Sequence, residues 1–89
     1  MEKSFIVTEV NGIHARPATI IVNEAVRFDC DLQLGCDGLF VDLKSIMGVM
    51  SLGVYSNKVI TIVATGSDAA EALEGLSNVL IAQKLAKEL

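Results

Sequence analysis

From Asp29 to Cys36 the chain alternates with a period of two. Cys30, Leu32, Leu34 and Cys36 fall on one face, and Asp29, Asp31, Gln33 and Gly35 on the other. Such alternation predicts a half-buried strand. Asp37-Gly38 follows as a tight hairpin turn, and Leu39, Val41 and Leu43 continue the inward set. Phe40 then faces solvent on an edge strand, where an exposed aromatic invites weak self-association. Lys58 to Thr65 alternates again, with Ile60, Ile62 and Ala64 opposed to Val59, Thr61 and Val63. Phe5-Ile6-Val7-Thr8 has the β-branched character of a first strand, closed by the turn signal Asn11-Gly12.

Between these strands the spacing becomes helical. Ala18, Ile21, Val22, Ala25 and Phe28 form one apolar stripe, with Pro17 near the start of the helix, where a missing N–H does no harm. Ser45 to Leu52 reads as a short helix with Val49 and Leu52 inward, ended by Gly53. A final helix places Ala69, Ala72, Leu73, Leu76, Val79 and Leu80 on one stripe, and Asp68 with Glu71 resembles a capping box. The predicted order is βαββαβα, an α+β fold with one sheet face covered by helices and one open to water. No linker or repeat interrupts it, so residues 1–89 are read as a single domain.

Hydrophobic residues make up 52% of the chain, enough to build a core without a metal or a disulfide. The net charge is −4 and the seven basic side chains are scattered, which argues against nucleic-acid binding. The longest nearly apolar run, Ile46 to Val54, is too short to span a bilayer of roughly 30 Å. The charged start Met1-Glu2-Lys3-Ser4 is unlike a secretory signal. These features predict a soluble cytoplasmic protein. Cys30 and Cys36 sit about 20 Å apart along one strand, too far for a disulfide, so both read as buried thiols.

His14 is the only histidine, no cluster offers a set of metal ligands, and no glycine-rich phosphate loop is present. Attention therefore falls on Gly12-Ile13-His14-Ala15-Arg16-Pro17-Ala18. His14 lies just before a helix, where free N–H groups and the helix dipole favour an anion. Arg16 can offer a guanidinium fork to phosphate oxygens, and a neutral imidazole is a capable nucleophile. Taken alone, a single histidine near a helix start is more often an inconsequential loop residue.

The motif resembles the active-site motif of the histidine-containing phosphocarrier proteins (HPr) of the sugar phosphotransferase system. Lys44-Ser45-Ile46-Met47-Gly48-Val49-Met50-Ser51-Leu52 is similar to that family's second signature, at the family's separation. The resemblance covers essentially the whole chain. It implies an open-faced β-sandwich, a four-stranded antiparallel sheet with three helices packed on one face. It implies that His14 accepts a phosphoryl group at Nδ1 from phosphorylated enzyme I, steadied by Arg16 and by the amides around Ala15 and Arg16. The group then passes to enzyme IIA domains of sugar transporters. No cofactor or metal is implied, and the protein is a transfer intermediate regenerated stoichiometrically, not an enzyme.

The same resemblance implies regulatory phosphorylation of Ser45 by an HPr kinase/phosphorylase, the modified form binding a catabolite-control transcription regulator. Ser45 is also a helix N-cap candidate, where a phosphate would be favoured. An adjacent face carrying Ile46, Met47 and Met50, together with Ile20, Ala15 and Pro17, is the expected partner-binding surface of a monomeric carrier that docks unlike proteins. Leu39 and Phe40 stand where many relatives have lysines, and Cys30 and Cys36 are also unusual in the family. The chief alternative is an HPr-like regulatory protein working mainly through Ser45. A carrier for a nitrogen-linked or fructose-specific branch, and a small metal-binding or acyl-phosphate-hydrolysing domain, stand further off.

Overall fold

The computed structural model describes residues 1–89. Its elements are β1 (Glu2–Val7), α1 (Ala15–Ala25), β2 (Asp31–Cys36), β3 (Leu39–Asp42), α2 (Ile46–Ser51), β4 (Val59–Thr65), α3 (Ala69–Ala82) and β5 (Ala86–Glu88). The strands form one sheet in the order β3-β2-β4-β1-β5, and every neighbouring pair is antiparallel.

The period-two patterns sort the sheet into two faces. Phe5, Val7, Leu32, Leu34, Ile60, Ile62 and Ala64 are buried and join the α1, α2 and α3 stripes in one apolar cluster. The opposite face keeps polar residues in contact with water, and across it Ser4 and Thr61, paired in register, share a hydroxyl hydrogen bond of 2.9 Å. Ala18, Ile21, Val22 and Ala25 of α1 are buried as their spacing predicts, as are Ala69, Ala72, Leu73, Leu76 and Leu80 of α3. Cys30 and Cys36 are buried free thiols, and burial pushes both thiols up from their ordinary value.

Three features differ from the sequence reading. A fifth strand, β5, pairs with β1 through Phe5↔Glu88 and Val7↔Ala86. The chain reaches it by a reversal after α3: Leu85 N–H donates to the Leu80 carbonyl at 2.9 Å, and Lys84 N–H to that of Ile81 at 3.0 Å. That Schellman-type closure needs a left-handed residue, and here Lys84 (φ 57°) takes the place of the usual glycine.

Leu39 is 66% exposed instead of facing the core, whereas Val41 is half-buried and Leu43 fully buried. Cover from the core thus fades toward the Asp37-Gly38 hairpin. Asp68 is the N-cap of α3 but makes no side-chain cap bond. Its carboxylate instead accepts the N–H groups of Asp29 and Cys30, at 2.8 and 2.9 Å, tying the start of α3 to the entry of β2.

Candidate functional site

The loop between β1 and α1 is fixed by its own backbone. Gly12 N–H donates to the Glu9 carbonyl at 2.9 Å, and Ile13 N–H to the Val54 carbonyl at 3.0 Å. Gly12 adopts φ 70°, and a Cβ there would fall 2.1 Å from the Val54 carbonyl oxygen. Glycine is therefore required for the loop to lie this close to the chain before β4. Ile13 is buried, which fixes the direction in which the next residue leaves the loop.

That next residue, His14, is the N-cap of α1, with extended backbone (φ −93°, ψ −165°). Its carbonyl accepts the Ala18 N–H at 2.9 Å, but its side chain makes no cap bond. A Ser or Asp here would spend its oxygen on the helix amides; the imidazole leaves them free. Within the first turn, Ala15 and Arg16 carry N–H groups without an intrahelical acceptor, and Pro17 carries none. The first turn holds no acidic residue to compete for them. Two amides and the positive end of the dipole thus lie at a helix start whose N-cap imidazole is 44% exposed, with Arg16 exposed two residues on. Glu9 Oε1 lies on the imidazole's far nitrogen, 3.9 Å from Nε2. The arrangement suits a nucleophile that must hold a dianion at the surface and give it up again.

Pro17 is the third residue of α1 and is fully buried, so its ring packs inward and cannot be part of a partner-binding surface. Ala15 is exposed, and Ile20 is half-buried against the core. On α2, which packs directly on α1, Met47 is 79% exposed, with Met50 and Ile46 also exposed, while Val49 takes the inward position. Ser45 caps α2: its Oγ accepts the Gly48 N–H at 3.0 Å. Before it, Lys44 is held at both ends, its N–H donating to Asp42 Oδ1 at 2.9 Å and its Nζ to the Phe28 carbonyl at 2.7 Å.

Sequence reasoning missed Glu9. Its only signal was a carboxylate five residues before the histidine across a glycine turn. No three His, Cys, Asp or Glu side chains come together as a metal site, and no helix is long and apolar enough to cross a membrane. A surface depression of about 480 Å³, walled by Asp31, Gln33, Phe40, Asp42 and Thr65, lies on the sheet and includes no residue of the α1 start.

The family described as the PTS HPr component phosphorylation site matches residues 1–82. Among solved structures, the Mycoplasma histidine-containing phosphocarrier protein superposes with a TM-score of 0.94 at 34% identity, over 97% of this chain and 98% of that one. The phosphocarrier protein HPr of Bacillus anthracis is 47% identical, with a TM-score of 0.82 over 89% and 94% of the two chains. Crh, the Bacillus subtilis catabolite-repression protein solved as a domain-swapped dimer, is 45% identical, with a TM-score of 0.73 over 82% and 84%. With a family match over residues 1–82 and a fold shared along nearly the whole chain, the protein is a member of the HPr phosphocarrier family of the phosphotransferase system.

Proposed function

We propose that this protein carries a phosphoryl group on His14, taken from phosphorylated enzyme I and delivered to enzyme IIA domains of sugar transporters. The observation that supports it above all is His14 at the N-cap of α1 with its side chain uncommitted to the helix. Arg16 and the Ala15 and Arg16 amides meet the phosphate oxygens once the group arrives. Ala15, Ile46, Met47 and Met50, with the rim of Ile20, form the docking surface, and the carrier works as a cytoplasmic monomer. Incubation with phosphoenolpyruvate and enzyme I, followed by intact-mass measurement, tests the reading. One acid-labile phosphate, absent in His14→Ala, is expected; an unmodified wild-type chain would overturn it.

Ser45 is proposed as a regulatory phosphorylation site for an HPr kinase/phosphorylase, the product binding a catabolite-control regulator. Similarity to Crh and the Lys44-Ser45-Ile46-Met47-Gly48 signature support this reading. A phosphate on Ser45 would extend from the cap of α2, where the helix dipole favours it. Because His14 is present, this regulation is added to phosphoryl transfer and does not replace it. Incubation with ATP and such a kinase, compared between wild type and Ser45→Ala, decides the point.

A further inference from the structure

Glu9 has no part in the sheet or in any helix, yet its position is closely set. Thr8 and Glu9 N–H groups both donate to the Leu85 carbonyl, at 2.9 and 3.2 Å, and the Glu9 carbonyl accepts the Gly12 N–H. These bonds are all main-chain, so they fix the Cα of Glu9 whatever its side chain. The Glu9 side chain is only 26% exposed, it meets no lysine or arginine, and its sole charge partner is the His14 ring at Nε2, 3.9 Å away. That separation is an ion-pair distance, longer than a hydrogen bond, as is common before a reacting partner closes a site.

A neutral imidazole has one N–H and one lone pair, on different nitrogens. An ionised carboxylate can only accept, so it favours the N–H on the nitrogen that faces it. We propose that Glu9 is a positioning residue for phosphoryl transfer: it holds the His14 proton on Nε2 and leaves the lone pair on Nδ1. The inference rests on the phosphocarrier reading and deepens it.

The step balances without a proton moving. The Nδ1 lone pair forms the bond to phosphorus while the bond from phosphorus to the donor breaks, its electron pair leaving with the donor. The Nε2 proton stays in place, the ring becomes cationic, and Glu9 faces that new positive charge. On delivery the P–N bond breaks with its electrons returning to Nδ1, and the ring is again neutral with its proton on Nε2. Glu9 thus sets the reactive nitrogen before transfer and faces the charge that makes the ring a good leaving group after it.

Two measurements on the full chain test this, with Glu9→Gln and Glu9→Ala against wild type. Nitrogen-15 NMR of the neutral His14 ring reports which nitrogen bears the proton, a readout that a merely structural loop residue would not move. The rate of acceptance from phosphoenolpyruvate and enzyme I reports transfer. In both variants the Nδ1–H form is expected to gain population and acceptance to slow by about two- to fivefold, the scale of a half-exposed charge pair. Unchanged melting confirms that the loop is intact. If either the tautomer balance or the acceptance rate matches wild type in both variants, the role of Glu9 is overturned. A wild-type chain that accepts no phosphoryl group overturns instead the carrier reading, and is told apart because the variants then have no rate to compare.

Discussion

The Phe40 ring lies across the backbone of Gly35, its partner in the β2–β3 register, so closely that a Cβ on Gly35 would sit 2.3 Å from the ring's Cε2. An aromatic side chain on the open face thus covers the stretch of strand where glycine leaves the backbone bare. The exposed phenylalanine of the edge strand is therefore packed within its own sheet, although half of it still meets water.

The two residues should be energetically coupled. With Phe40 present, Gly35→Ala must push the ring aside and is expected to destabilise by about 1 kcal/mol. In a Phe40→Ala background the same change should become neutral or stabilising, since a strand-interior glycine costs roughly 0.5–1 kcal/mol relative to alanine. A urea-unfolding double-mutant cycle measures the difference. Additive effects would mean that the ring does not occupy the space above Gly35.

Asp68 predicts a pH dependence with a definite sign. The Asp29 N–H above all, and then the Cys30 thiol and N–H, hold its carboxyl below the usual carboxylate range, against an opposing push from burial. A group lowered in the folded state contributes stability that is fully present above its unfolded value, about 3.9, and is lost as pH falls through the lower folded value. Asp68→Asn should therefore lower the melting temperature at pH 7 by an amount that stays constant down to about pH 5. Below that the wild-type and variant curves should converge. Parallel curves through the acid range would remove the carboxylate from the account.

Ser45 stabilises α2 before any modification is considered. Ser45→Ala removes the acceptor of the Gly48 N–H and should cost about 1 kcal/mol in urea unfolding, the usual worth of an N-cap. Ser45→Asp keeps an acceptor oxygen at the same place and should come within about 0.5 kcal/mol of wild type. Equal losses in both variants would show that the hydroxyl's size matters more than its lone pairs.

How legible these relationships were depends on the range of the forces behind them. The inward sets Leu32–Leu34, Ile60–Ile62 and Leu73–Leu76–Leu80 follow from burial on one face of a regular element, so their periodicity is visible in the chain. His14 and Arg16 stood out because their motif resembles that of a phosphocarrier family; the local chemistry of a helix end alone left His14 an ordinary loop histidine. What escaped depends on where distant chain lies. β5 was missed because Ala86-Lys87-Glu88 has no strand-like residues and Lys84 takes a backbone turn that glycine usually marks. Leu39 has an inward position by register, opposite buried Cys36, yet it stays 66% exposed at the end of the edge strand. Asp68 has the residue type of a cap, yet it turns to the two N–H groups that β2 brings across. Pro17 sits in a motif that reads as a surface, but its ring is the part of that turn that anchors it to the core.

The exposed face of α2 yields the sharpest separation of folding from function. Met47 is 79% exposed and bordered on its own helix by Met50 and Ile46, so its side chain contributes little to the core. Met47→Asp should change unfolding free energy by no more than about 0.5 kcal/mol, as substitutions at open surface sites generally do. A buried charge at a docking interface is a different matter: desolvating it without a partner should weaken association by more than 1 kcal/mol, or roughly fivefold or more in phosphorylation by enzyme I at subsaturating donor. Ser51→Asp, at the far end of the same helix, is the control for added negative charge. If Met47→Asp and Ser51→Asp are slowed alike, repulsion and not apolar contact governs docking. Normal rates in both would leave α2 outside the interface altogether.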